Sequence, residues 1–411
     1  MAGLAQGGAL RVVLGGAAAY FGAKTHVILN TLSLRSKLPN VGTTIFTVMS
    51  KMAAKYGAIN LSQGFPNFPV APELIDLVAK AMRDGHNQYA PMPGWPPLLE
   101  AIAAKTEGLY GQPIDPMKEI TVTAGATEAI FATIMALVQE GDEVIVLEPA
   151  YDCYVPAIEL AGAKPVFVSL RVPEFSISWK RVKEAITPRT KMIIVNTPGN
   201  PTGAVISAED LVELEALAEK EDLLVLGDEV YEHIIFEEQE HMSMQRLAQL
   251  RQRSISVFSF GKTFHATGWK VGYLIAPPHL TEEIRKVHQY LTFSVNTPTQ
   301  VALAEYLQNP ANYENLGSFY QQKRDLFLEL MDDSRFEPIP CYGSYFQLFY
   351  YRHISDEPDM EFAEALTKER GVAAIPVSSF YHNGNDPRLL RFCFAKDDDT
   401  LRQAAKVLCK I

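Results

Sequence analysis

The stretch KMIIVNTPGNPTGAVISAEDLVELEALAEKEDLLVLGDEVY, Lys191 to Tyr231, decides the fold. It opens on an apolar run, KMIIVN, that reads as a strand and passes into a turn dense in Pro, Gly and Asn. In SAEDLVELEALAEKED, Ser207 stands as an N-cap with Asp210 three residues on, which predicts a helix. LLVLGDEVY reads as the next strand. Strands separated by helices predict a parallel α/β sheet.

The same alternation extends outward. Glu73 to Met82 and Pro97 to Tyr110 read as amphipathic helices. Glu119 to Val122 is a short strand, followed by the helical pattern AGATEAIFATIMALV. EVIVLEP (Glu143 to Pro149), KPVFVSL (Lys164 to Leu170) and SISVFSFG supply further strands. After about Asn296 a long helical stretch, Pro298 to Leu330, leads to short strands around CYGSYFQLFYY. A helix at Met360 to Arg370, strand-like VAAIPVSSF and LLRFCFA, and a last helix predict a second, α+β domain. The expected division is an N-terminal extension over 1–37, an arm joined to the small domain over 38–69, a large domain over 70–297 and a small domain over 298–411.

With 411 residues, 47% apolar and 21% charged, the chain sits in the ordinary globular class and can place a cleft between two domains. A formal net charge of −11 argues against nucleic-acid or anionic-membrane partners. Cys153, Cys341, Cys393 and Cys409 show no metal-like spacing, so no metal is expected, and they read as reduced thiols of an intracellular, cytoplasmic protein. No Asp or Glu precedes Glu73, and VVLGGAAAYFGA (Val12 to Ala23) is apolar and small. That extension is expected to take no part in the fold. As a transit peptide it would instead place the protein in an organelle.

Ligands bind such sheets at the carboxyl ends of the strands. Asn196, Asn200, Asp228, Ser259 and Lys262 gather there. A lysine past a strand end forms a Schiff base if its surroundings lower its pKa; taken alone it is a surface lysine in a turn. Asp228 at the end of an apolar strand needs a partner, either a protonated ring nitrogen or a simple salt bridge. Tyr231 could bond a cofactor hydroxyl or lie in the core. NTPGNPTG is a plain βα turn or a platform for the Asn200 amide. In AGATEAI, the N–H groups of Ala126 and Thr127 could hold a phosphate at a helix start. Ser259 and Lys270, flanking Lys262, suit the same phosphate. Arg391 inside the apolar LLRFCFA needs an anion, either a substrate carboxylate or an internal acid.

Taken in order along the chain, these motifs resemble the class I/II aminotransferases, fold type I pyridoxal-phosphate enzymes, over about Leu38 to Ile411. NTPGNPTG, DEVY, SFGKTFHATGWKVGY and RFCFAKD carry the resemblance. LSQGFPNF, NQYAPMPG, EPAYDCY and HQYLTFSVNTPTQ are similar to the methionine, kynurenine and glutamine branch. The resemblance implies pyridoxal 5′-phosphate on Lys262, which also moves the substrate proton. It implies Asp228 at the pyridine nitrogen, Tyr231 and Asn200 at the phenolic oxygen, and Tyr151 stacked on the ring. Ala126, Thr127, Ser259 and Lys270 would hold the phosphate, joined by Tyr89 from a second subunit of a homodimer. Arg391 and Asn200, with the Gly64 backbone, would hold the substrate carboxylate, and Phe46 and Phe293 would line an apolar side-chain pocket. His265 would either line the pocket or pack beside it.

TTIFTVMS and the His after GKTF look closer to bacterial methionine-preferring members than to the kynurenine type. The implied donors are methionine and aromatic L-amino acids, with 2-oxo acids as acceptors in a ping-pong exchange. Kynurenine or glutamine transamination, and β-elimination on cysteine conjugates, begin with the same proton removal. Regulatory proteins of similar fold carry a helix-turn-helix, and the nearly uncharged extension has no basic recognition helix.

Overall fold

The apolar strand runs owe their composition to burial on both faces. Val144 and Val146 pack into one hydrophobic cluster and Ile145 into another. Met192 and Ile194 alternate with Ile193 and Val195 in the same way. Successive strand side chains point to opposite faces, so a sheet covered on both sides needs an unbroken apolar run.

The computed structural model describes residues 35–411. The chain divides into two units, Met1–Pro39 and Asn40–Ile411. Of the first, Arg35–Pro39 are described and form no helix or strand. The expectations of a disengaged extension or a transit peptide over 1–37 lie almost wholly outside the described residues. The architecture that follows is that of the second unit.

Seven strands form the main sheet: β1 Ile120–Thr123, β2 Glu143–Glu148, β3 Lys164–Ser169, β4 Thr190–Asn196, β5 Leu224–Asp228, β6 Ser254–Ser259 and β7 Gly272–Ile275. Their order is β1-β7-β6-β5-β4-β2-β3. The pairs among β2 to β6 are parallel, and β7 is antiparallel to both β1 and β6. The sequence reading overlooked β7. The connection from β6, residues 260–271, holds the helical turn Phe260–Thr263 and the turn Thr267–Trp269 but no full helix to carry the chain over the sheet, and it returns beside β6 as an antiparallel strand.

Helix α1, Ala126–Leu137, follows β1, and helix α2, Ala208–Lys220, joins β4 to β5. The expected capping box is present: Ser207 Oγ accepts from Asp210 N, and Asp210 Oδ2 from Ser207 N, both at 3.1 Å. The helical stretch expected over Pro298 to Leu330 is three helices, Thr297–Tyr306, Ala311–Glu314 and Leu316–Leu330. Pro310 stands at the first break, where it lacks an N–H and disfavours helix in the residue before it. Helices Ile45–Tyr56 and Pro278–Leu291 were not foreseen.

A four-stranded antiparallel sheet follows in β8 Glu337–Pro338, β9 Phe346–Tyr350, β10 Ile375–Pro376 and β11 Leu389–Cys393, ordered β10-β11-β9-β8. Arg391 lies on the inner strand β11, opposite Leu348 on one side and Ile375 on the other. Ile59–Asn60 pairs in parallel with Val372–Ala373, and Cys393 N donates to Leu61 O at 2.8 Å. Those contacts lay Ser62 to Phe65 beside Arg391. Among the described residues, no helix is long and apolar enough to cross a membrane.

Candidate active site

In-register pairing assembles the centre of the site. Asn196, the last residue of β4, stands opposite Asp228, the last of β5, and Asp228 opposite Val257 of β6. Asn196 Nδ2 donates to Asp228 O at 2.9 Å, and its Oδ1 accepts from Asn200 N at 2.8 Å, which folds the NTPGNPTG turn back over the strand ends. A cavity of about 290 Å³ opens there. Phe46, Gly64, Ala126, Thr127 and Tyr151 line it together with Asn200, Asp228 and Tyr231. Ser259, Lys262, Lys270 and Arg391, also singled out by the sequence, line it too.

Tyr89 and Phe293 lie elsewhere. Their rings meet edge to face at 5.4 Å, and they are 80% and 46% exposed. His265 also stays off the cavity wall. It packs edge-on against Phe68 at 4.7 Å, and burial lowers its imidazole to about 4.

Lys262, Asp228 and Arg391 are held away from their ordinary behaviour. Burial lowers the Lys262 amine to about 8, against the pull of Cys393 and Asp228. Its Nζ lies 2.9 Å from Tyr345 Oη and 3.3 Å from Gly64 O. Burial raises the Asp228 carboxyl to about 6, opposed by a hydrogen bond from Tyr154 Oη to Oδ2 and by the Lys262 charge. A buried carboxylate and a buried amine in one cavity, both displaced toward neutrality, are the signature of a reactive site.

Arg391 is completely buried. Its Nη1 donates to Asn200 Oδ1 at 2.7 Å and its Nη2 to Ser62 O at 2.8 Å, while Nε has no partner. Rings surround the guanidinium, Phe346 at 3.9 Å, Phe46 at 5.2 Å and Phe380 at 5.4 Å. Burial lowers its pKa to about 10. Among the described residues, no carboxylate forms an ion pair with it. The internal acid that the sequence left open is therefore not there.

The other end of the cavity is an anion cradle. Gly125 takes φ +79° to start α1, and a Cβ there would stand 3.3 Å from Lys270 Nζ. The Lys270 amine thus sits at the helix start that carries Ala126 and Thr127, where free N–H groups and the helix dipole favour negative charge. Burial raises the Tyr151 phenol, and the neighbouring Thr127 side chain opposes the shift.

Sequence reasoning missed Tyr154 under Asp228 and Tyr345 against Lys262. Tyr154 lies three residues past Tyr151 in EPAYDCY, a spacing that puts both on one side of a helical turn. Tyr345 had no such signal among the aromatic residues of CYGSYFQLFYY.

Residues 56–408 match the family aminotransferase class I and II, and the chain belongs to that family. It has the fold type I architecture and is an enzyme of the aminotransferase type. It is 50% identical over 380 residues to the methionine aminotransferase of Escherichia coli (strain K12), covering 92% of this chain and 98% of that one. Identity to kynurenine–oxoglutarate transaminase 1 of Mus musculus is 35% over 399 residues, covering 89% and 93%. The crystal structure of YbdL from Escherichia coli, described as identifying a methionine aminotransferase function, superposes with a TM-score of 0.91 at 49% identity, covering 93% of this chain and all of that one.

Proposed function

We propose that this chain moves the amino group of an apolar or aromatic L-amino acid, methionine foremost, to a 2-oxo acid, with pyridoxal 5′-phosphate in the cavity. One observation carries the reading. Arg391 is a fully buried cation with no acidic partner among the described residues, in the cavity that holds an amine lowered to about 8. Such a charge requires an anion, and a carboxylate matches the guanidinium fork. The rings of Phe46 and Phe346, which line the cavity beside Arg391, offer the amino acid's side chain apolar walls. The likeness to methionine aminotransferase supports the choice of donor.

The cavity residues fit the cofactor's chemistry. Ala126, Thr127, Ser259 and Lys270 would take its phosphate. Asp228 would pair with its ring nitrogen, Tyr231 and Asn200 with its ring oxygen, and Tyr151 would cover one face. When bound, the cofactor supplies an acceptor for the amino group and an electron sink for charge left at the substrate Cα. The chain does the rest. Arg391 and Asn200, with the Gly64 backbone, hold the carboxylate and so orient the Cα–H. Lys262, a base near neutral pH, removes the Cα proton and returns it. Tyr154 donates to Asp228 and helps keep it ionised.

The reading includes a division of 38–411 into a large domain over 70–297 and a small one built from 38–69 and 298–411. It includes a homodimer in which Tyr89 and Phe293 of one subunit reach the other's site, with Phe293 completing the side-chain pocket. The free thiols of all four cysteines support a cytoplasmic location.

The test is to load the protein with pyridoxal phosphate and add L-methionine without any 2-oxo acid. The bound cofactor's visible absorbance is expected to fall as one equivalent of 2-oxo acid appears. A response to kynurenine or glutamine but not methionine would move the substrate. A protein that never retains the cofactor would overturn the reading.

A further inference from the structure

Tyr345 has no place in the scheme above, yet its hydroxyl touches the reacting amine. Its ring is completely buried, and burial pushes the phenol well above its ordinary range, so it remains neutral. Tyr345 Oη lies 2.6 Å from Gly64 O and 2.9 Å from Lys262 Nζ, and Lys262 Nζ lies 3.3 Å from the same carbonyl. A carbonyl can only accept, so the phenol's single proton goes to Gly64 O. The phenol oxygen then faces Lys262 with lone pairs, and the lysine donates to it.

This arrangement fixes where the nitrogen sits. Tyr345 Oη and Gly64 O lie closer to each other, at 2.6 Å, than either lies to Lys262 Nζ, at 2.9 and 3.3 Å, so the two acceptors share one side of the amine. We propose that Tyr345 is a positioning residue for the free Lys262 amine: with the Gly64 carbonyl it gives the N–H side of the nitrogen a pair of acceptors, and so holds the base in place while it takes up the substrate's Cα proton and returns it.

The surroundings support a built seat. Ser344 has φ +62°, a conformation that non-glycine residues seldom adopt, and it is pinned by its N–H to Ile234 O at 2.9 Å. Gly343 N is pinned to Gly203 O at 3.0 Å. The turn so held seats Tyr345 against Lys262 and Gly64 just before β9 begins. A side chain at position 64 would crowd the Phe346 ring, its Cβ standing 2.8 Å from Phe346 Cζ, so the backbone there lies close against β9.

The inference rests on Lys262 being the base, and the experiment separates the two. The full chain is loaded with pyridoxamine 5′-phosphate, which leaves Lys262 free. It is then treated with formaldehyde and cyanoborohydride across a pH series, and methylation of the peptide carrying Lys262 is read by mass spectrometry. Tyr345→Phe removes one acceptor from the ammonium, so the neutral amine should gain ground. Labelling near pH 7 should rise about two- to tenfold, the range of one hydrogen bond. In turnover, kcat should fall about tenfold with KM little changed, because the placement of the base matters only in the transition state. An unchanged labelling profile in a folded Tyr345→Phe protein would overturn the proposal. Should that variant fail to fold, 3-fluorotyrosine at position 345 keeps the ring and weakens the acceptor, and its labelling must shift in the same direction. Lys262→Ala tests the underlying reading by itself: transamination surviving that change would remove the base, whatever Tyr345 does.

Discussion

Asp228 illustrates at the residue scale how the site is destabilised for its task. Its folded carboxyl titrates at about 6 in place of 3.8, chiefly through burial. The protonated form therefore contributes stability that is fully present below 3.8 and is lost as pH rises through about 6. Above that, holding the carboxylate in the cavity opposes folding by about 3 kcal/mol, at 1.36 kcal/mol per unit. Asp228→Asn should match the parent's melting temperature near pH 4 when no cofactor is present. Between pH ~4 and ~6 the variant should become the more stable, by a few degrees at neutrality. Asp359 is also raised to about 6, but it is common to both proteins and cancels in the difference. Activity should fall at least a hundredfold, because Asn cannot keep a ring nitrogen protonated. A constant gap in melting temperature across the pH series would contradict this account.

At the scale of elements, the anion cradle depends on strand β7. Gly272 pairs with Thr123 of β1 and Ser259 of β6. A Cβ on it would stand 2.6 Å from Phe258 O and 2.9 Å from Ala126 N, both backbone atoms. Neither neighbour can turn aside as a flexible side chain would. Gly272→Ala should push the start of α1 away from Ser259 and Lys270. We expect cofactor affinity to fall about tenfold or more, read by fluorescence titration, with a destabilisation of about 1–3 kcal/mol, typical of overpacking. Affinity equal to the parent's would mean that the cradle does not hold the phosphate. β7 also marks where reading the sequence was weakest. Its four residues, GYLI, form too short a run to be told from a turn, whereas KMIIVN and LLVLGD stand out because both their faces are buried.

On the scale of the whole molecule, Tyr89 and Phe293 lie exposed and edge to face, with Tyr290 and Leu291 exposed close by in sequence. A second subunit would cover large apolar side chains of this kind. In a homodimer whose sites share Tyr89, mixing Lys262→Ala chains with Tyr89→Ala chains should restore activity. Half the dimers would be mixed, each with one intact site of two, so recovery approaches about a quarter of the parent's. Mixing Lys262→Ala with Arg391→Ala should restore nothing, because both residues serve the same chain's cavity. Equal recovery in the two mixtures, or none in the first, would rule out a shared site.

Local pattern determined much of this protein without any coordinates. Strand runs buried on both faces, the Ser207 cap and the polar residues after each strand are written in neighbouring positions, so composition and spacing reveal them. The order of Asn200, Asp228, Lys262 and Arg391 along the chain identified the family for the same reason. Only the tertiary structure decided what those residues meet. No spacing in the sequence shows that Arg391 lacks an acidic partner, that Tyr154 lies beneath Asp228, or that Tyr345 shares the Gly64 carbonyl with Lys262. Gly64 and Tyr345 are 281 residues apart, and Arg391 and Ser62 are 329 apart. Contacts of that span come from how sheets and segments pack, a property of the folded chain that no stretch of sequence carries alone.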